Sequence, residues 1–154
     1  IGGSIRDDAR NQRRKTMPNG CRIYKTTNTI LPVGTQIPII FDAERWDDAN
    51  YHDPSFPTRI TIPVAGRYHA FASIGFYCSV YALSQSFMRL NGTTALAQDK
   101  REIDPGISVW TFSTIWTFNV NDYIELIAWH NSAYQVMVFS APPYSPELGV
   151  ERIV

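Results

Sequence analysis

The densest group of side chains able to do chemistry lies between residues 42 and 53. Asp42, Glu44, Asp47, Asp48, His52 and Asp53 all fall in that stretch and could offer oxygen ligands to a hard cation such as Ca²⁺. Their spacing matches no loop in which alternating positions converge on one ion, so a solvated acidic loop is the simpler reading. Zinc has less support. His52, His69 and His130 are far apart, and neither Cys21 nor Cys78 stands at ligand spacing from a histidine. No metal and no cofactor is assigned.

Nucleophilic catalysis needs a nucleophile, a base and a group that orients the base. No Gly-x-Ser-x-Gly elbow, no Cys-plus-His signature and no phosphate-cradling glycine loop occurs. A carboxylate pair for glycoside cleavage can always be drawn from the 14 acidic residues, so such a pair carries no weight. The chain is read as a binding protein rather than an enzyme, with a polysaccharide-degrading enzyme as the distant alternative. The same acidic stretch carries Trp46, Tyr51, His52 and Phe56, which are the candidate contacts to a ligand or partner. Exposed loop aromatics stack on sugar rings or anchor a protein; the plainer role for them is a plug over the end of the fold. Asn91-Gly92-Thr93 formally matches a glycosylation acceptor, but Asn-Gly is also the pair that a tight β-hairpin turn demands.

These residues must be positioned by strands. Residues 21–24, 35–41, 59–63, 66–77, 80–90, 93–98, 107–118, 123–130, 133–140 and 150–154 read as strands, with Pro38 marking 35–41 as an edge or bulge. Residues 43–57 and 99–106 read as long polar loops. About eight to ten strands, roughly ten residues apart and with no helical stretch, predict an all-β antiparallel sandwich or barrel.

At 154 residues the chain fits one domain with a core of its own. No run of about eighteen apolar residues is present, so no membrane span is predicted. The two cysteines are compatible with one bridge or with two thiols. Arg6, Arg10, Arg13, Arg14 and Lys15 against Asp7 and Asp8 leave residues 1–16 at +3, and the remainder at −3. A neutral whole with a basic arm is not the footprint of a nucleic-acid binder, which concentrates cations on its folded face. Residues 1–20 are therefore read as an extended docking arm and 21–154 as the folded domain. The start at Ile1-Gly2-Gly3-Ser4 fits a fragment, a processed form or added cloning residues.

The long strands are apolar on both faces. Trp110, Phe112 and Trp116 share one face of residues 107–118, and Tyr123, Ile127 and Trp129 share one face of 123–130. A sheet wetted on one side alternates cleanly between apolar and polar positions. The six residues are therefore assigned to a contact between copies of the chain.

Ile60-Thr61-Ile62-Pro63-Val64-Ala65-Gly66-Arg67-Tyr68-His69-Ala70-Phe71 resembles the strand–turn–strand signature of complement-q-like globular heads. Val120-Asn121-Asp122-Tyr123-Ile124-Glu125-Leu126 resembles the late turn of that family, where an Asp precedes an apolar strand. Met88-Arg89-Leu90-Asn91-Gly92-Thr93 and Tyr144-Ser145-Pro146-Glu147 look like the versions found in bacteriophage and bacterial proteins. Two departures stand out: Ala70 occupies a position where the family carries an aromatic, and Asn121-Asp122 replaces a Gly-Asp turn. The resemblance implies a ten-stranded jelly roll, shared with the tumour-necrosis-factor superfamily, packed as a homotrimer through one sheet. It further implies a virion accessory protein of a bacteriophage, as head fibre, capsid decoration or tail fibre. Such a protein would dock on a capsid or fibre platform by its arm and meet a host glycan or protein with its loops. A secreted recognition head is the alternative.

Overall fold

The structure is a computed structural model that describes residues 20–153. The proposed docking residues Arg6, Arg10, Arg13, Arg14 and Lys15 lie outside the described residues.

Twelve strands, and no helix, are found among the described residues: β1 (Gly20–Tyr24), β2 (Thr29–Leu31), β3 (Ile37–Pro38), β4 (Ala43–Asp47), β5 (Arg59–Thr61), β6 (Gly66–Cys78), β7 (Ala82–Leu90), β8 (Thr94–Ile103), β9 (Gly106–Phe118), β10 (Tyr123–His130), β11 (Val136–Val138) and β12 (Glu147–Arg152). They form two antiparallel sheets. In the seven-stranded sheet, β6 pairs along its whole length with β9 on one side. Its other side is shared by β12 and β11, which lead on to β1 and β4, and to β2, respectively. In the five-stranded sheet, β10 pairs with β7 on one edge and with β3 and β5 on the other, and β7 carries β8.

Alternation explains the layers. On β6, Tyr68, Ala70, Ala72, Ile74 and Phe76 point inward; Ile124, Leu126 and Ala128 of β10 and Leu148 and Val150 of β12 do the same, and all join one core. Long strands with inward faces of this kind can bury their apolar side only against a second sheet. The aromatic cluster at one end of the core is tied edge to face: Tyr51 on Tyr68 at 6.3 Å and Tyr68 on Phe118 at 5.8 Å.

Turn chemistry lies where the sequence places it. Asn91 and Gly92 adopt positive φ of 49° and 74°, as a turn with two left-handed central residues requires, and the Thr93 N–H closes it on the Leu90 carbonyl at 3.0 Å. The Asn91 amide also donates to Asp122 at 2.8 Å, and its carbonyl accepts from the Tyr123 N–H at 2.9 Å. The hairpin is thereby bolted to the turn that opens β10, and the Asn91 side chain is fully engaged. Both cysteines are buried and free.

Two loop expectations are corrected, and one short strand is added. The stretch read as a loop from residue 43 begins with β4, which pairs with β1. Its polar composition suits an edge strand with one side open to water. Strand β8 runs to Ile103, through residues read as loop, because alternate positions of this edge also face solvent. Strand β2 has only three residues, too short to show a period.

Candidate functional site

The acidic side chains between residues 42 and 53, on β4 and the loop that follows it, are bonded within the protein rather than gathered as an open ligand set. Asp47 accepts from the backbone N–H groups of Tyr51 and His52, both at 2.9 Å. Asp42 caps Thr26 through its N–H and hydroxyl, both at 2.8 Å. Asp48 takes the Gly20 N–H at 3.2 Å and Asp53 the Ser55 N–H at 2.8 Å. Glu44 holds His52 Nδ1 at 2.9 Å. Each carboxylate satisfies a donor, those of Asp47 and Asp53 within the turn itself, as Asp does in turns, and no cluster able to hold a metal ion occurs among the described residues.

The four loop contacts divide. Tyr51 and His52 are buried; Tyr51 belongs to the core, and burial together with its bond to Tyr68 pushes its phenol well above the usual range. They are the plug of the sandwich end, not a free surface. Trp46 and Phe56 are exposed. His52 also lines an open cavity of about 460 Å³ with Ile40, Asp42, Glu44, Pro54 and Pro57.

The six residues expected at the subunit contact do not form one surface. Strands β9 and β10 lie in different sheets. Trp110 points inward, packs on Phe76 at 4.7 Å and is 2% exposed, and Phe112 rests against the same core. Trp116 has the inward parity of β9 but stays exposed. The error has a physical source. The more aromatic face of β9 closes the sandwich along its edge, and the plainer face is the one left outside.

Tyr123, Ile127 and Trp129 do point outward, from the five-stranded sheet, but this chain covers them itself. Ile127 is fully buried beside its register partners Phe87 and Pro38. Lys100 lies over Trp129 at 5.5 Å, and Arg59 over Tyr123 at 4.6 Å. Glu125 is flanked in register by Arg59 on β5 and Arg89 on β7. It accepts from Arg89 at 2.9 Å and from the Thr58 hydroxyl at 2.8 Å. Long cationic side chains laid over aromatic rings shield an apolar face while keeping their charge in water.

The uncovered face is the outer side of the seven-stranded sheet. Register aligns Ile30, Met137, Tyr77 and Ile107 in one row across β2, β11, β6 and β9. Ile30 is 62%, Tyr77 42% and Ile107 43% exposed. Val109 and, further along β9, Ile115 (59% exposed) extend the apolar surface. Between these patches lies a polar centre. Glu147 is clamped by Arg22 and by Arg45, whose Nε donates at 2.8 Å. The same carboxylate holds the Arg45 guanidinium above its usual pKa. Phe71 lies across Gly149, where any Cβ would penetrate its ring. Arg22, His69, Phe71, Ser73, Thr111 and Glu147 border a shallow cavity of about 350 Å³ there. Sequence parity identifies this face, but not which of the two faces of each strand is left uncovered.

The fold now defines a class: the chain is a jelly-roll sandwich of the kind shared by tumour-necrosis factors and complement-q heads. No protein-family model and no curated protein matches it. Among solved structures, murine APRIL at pH 5.0 aligns with TM-score 0.66 at 10% identity, over 89% of this chain and 100% of its own. Eiger TNF from S. frugiperda aligns with TM-score 0.65 at 12% identity, over 90% of this chain and 94% of its own. The globular domain of zebrafish complement 1qA aligns with TM-score 0.58 at 8% identity, over 88% and 98%.

Proposed function

We propose that this chain is a non-enzymatic binding module. It assembles as a homotrimer through the outer face of the seven-stranded sheet and serves as a bacteriophage virion accessory, as head fibre, capsid decoration or tail fibre. The observation that carries the assembly is the exposed apolar row from Ile30 to Ile107 with its extension to Val109 and Ile115. Exposed apolar patches of this kind on one face of a folded domain mark an interaction site. The resemblance to complement-q-like heads favours three copies. The virion setting is supported by the likeness of the residue 88–93 hairpin and of residues 144–147 to phage versions of the domain, and by the basic arm. The mechanism is avidity: three weak sites held together act at high effective concentration.

Light scattering of the full chain at micromolar concentration tests the assembly, with three times the protomer mass expected and a monomer overturning it. Deleting residues 1–16 is expected to leave the trimer intact and abolish docking on purified virions that lack the protein. Undiminished docking would remove the arm from the reading.

A second reading, a secreted recognition head for glycans or proteins, is favoured by the fold likeness to APRIL, complement 1qA and Eiger. Immuno-gold labelling of particles against culture supernatant separates the two.

A further inference from the structure

On the outer face of the five-stranded sheet, three charges stand in one register row: Arg59, Glu125 and Arg89. The carboxylate between the two guanidinium groups is committed to Arg89 and Thr58. Arg59 makes no ion pair or hydrogen bond through its side chain among the described residues, and its Nε is buried without an acceptor. Nε of Arg89 is likewise buried and unpartnered. Buried donors are nearly always paired in folded proteins, and neither of these two is spent on another residue of the described chain. The Arg59 guanidinium is also held in place, over the Phe56 ring at 3.9 Å and the Tyr123 ring at 4.6 Å. Ring contacts fix the plane of the fork without using its N–H groups. The fork is therefore pre-organised and its donors stay unspent.

We propose that Arg59, with Phe56 and Tyr123 beside it, binds the carboxylate of an acidic saccharide. A guanidinium fork matches a planar carboxylate with two parallel hydrogen bonds. Phe56, 49% exposed, offers ring surface to the C–H groups of a sugar. An acidic peptide presents the same carboxylate to the fork; the exposed Phe56 ring, which stacks on the C–H face of a sugar, favours the saccharide, and the peptide is the competing outcome of the test. The site lies on the sheet opposite the apolar face, so it remains open in the proposed trimer and is repeated three times. It rests on the reading of the chain as a binding module, and on no particular biological setting.

The test is titration of the full chain with tri-galacturonate, maltotriose and tri-glutamate, followed by the arginine Nε–H signals in ¹⁵N-resolved NMR. Tri-galacturonate is expected to shift the Arg59 Nε–H signal and to bind more weakly as salt rises; maltotriose is expected to do neither. Arg59→Gln should weaken uronate binding by about tenfold or more, and Arg59→Lys, which keeps the charge without the fork, by an intermediate factor. Absence of uronate binding, equal binding by Arg59→Gln, or tri-glutamate binding as tightly as the uronate would each overturn the proposal. Light scattering on the same samples keeps this result separate from the assembly: Arg59→Gln should remain trimeric whatever it does to the sugar.

Discussion

At the scale of single residues, adjacent positions on β9 have opposite fates. Trp110 is sealed in the core against Phe76, and Thr111 beside it is exposed. Trp110→Ala should therefore cost about 3–5 kcal/mol, the range for deleting a buried aromatic. Thr111→Ala should change stability by less than about 0.5 kcal/mol. Urea unfolding of the two variants measures both values, and comparable losses would show that the face of β9 has been misassigned. Cys21 gives a chemical counterpart. Burial, and then the nearby Asp47, Glu44 and Asp48, push its thiol far above the ordinary range. A raised thiol pKa means almost no thiolate at pH 8, so a thiol reagent should leave Cys21 unlabelled in the native protein. Labelling should appear with the unfolding transition, and rapid labelling in native buffer would contradict its placement.

At the scale of elements, the sequence makes the long strands legible and obscures the short ones. Strands β6, β9 and β10 announce themselves by length and alternation, and β10 was expected at its observed bounds. The Asn91-Gly92 turn fixes the β7–β8 hairpin because few residues tolerate its φ angles. Strand β4 is hidden by Glu44, Arg45 and Asp47, which look like loop composition until β1 is seen to provide a hydrogen-bonded edge. Strand β12 carries a signal that no periodicity reveals: Gly149 is there because Phe71 from β6 crosses directly above it. Gly149→Ala must displace that ring, at an expected cost of about 1–3 kcal/mol, as for other overpacked sites. Adding Phe71→Ala should relieve most of that loss, because the clash partner is gone. A double-mutant cycle by thermal or urea unfolding reads the coupling directly. Additive losses would mean that the two residues do not meet.

At the scale of the whole molecule, the sandwich was readable, and which face is left exposed was not. The sequence displays two apolar faces on each long strand. It cannot display that Arg59, Arg89 and Lys100 come from other strands to cover the outward face of β10. Nor can it display that none of the described residues covers the row from Ile30 to Ile107. That difference moves the proposed subunit contact from the aromatic faces of β9 and β10 to the outer face of the seven-stranded sheet, and the mutational prediction moves with it. Val109→Asp with Ile115→Asp should give a folded monomer, since both side chains point outward and neither belongs to the core. In a trimer the pair would place six carboxylates in the contact. An unpaired charge taken out of water is penalised by several kcal/mol even after relaxation, so six of them should outweigh the association. Tyr123→Asp makes the complementary case, because Tyr123 supports Arg59 on the opposite sheet. It should lower the unfolding midpoint of the protomer while leaving the folded protein trimeric. Light scattering with circular dichroism on the two variants distinguishes the faces. A trimer that survives the β9 pair, or that splits on Tyr123→Asp with the fold intact, would place the contact on the five-stranded sheet.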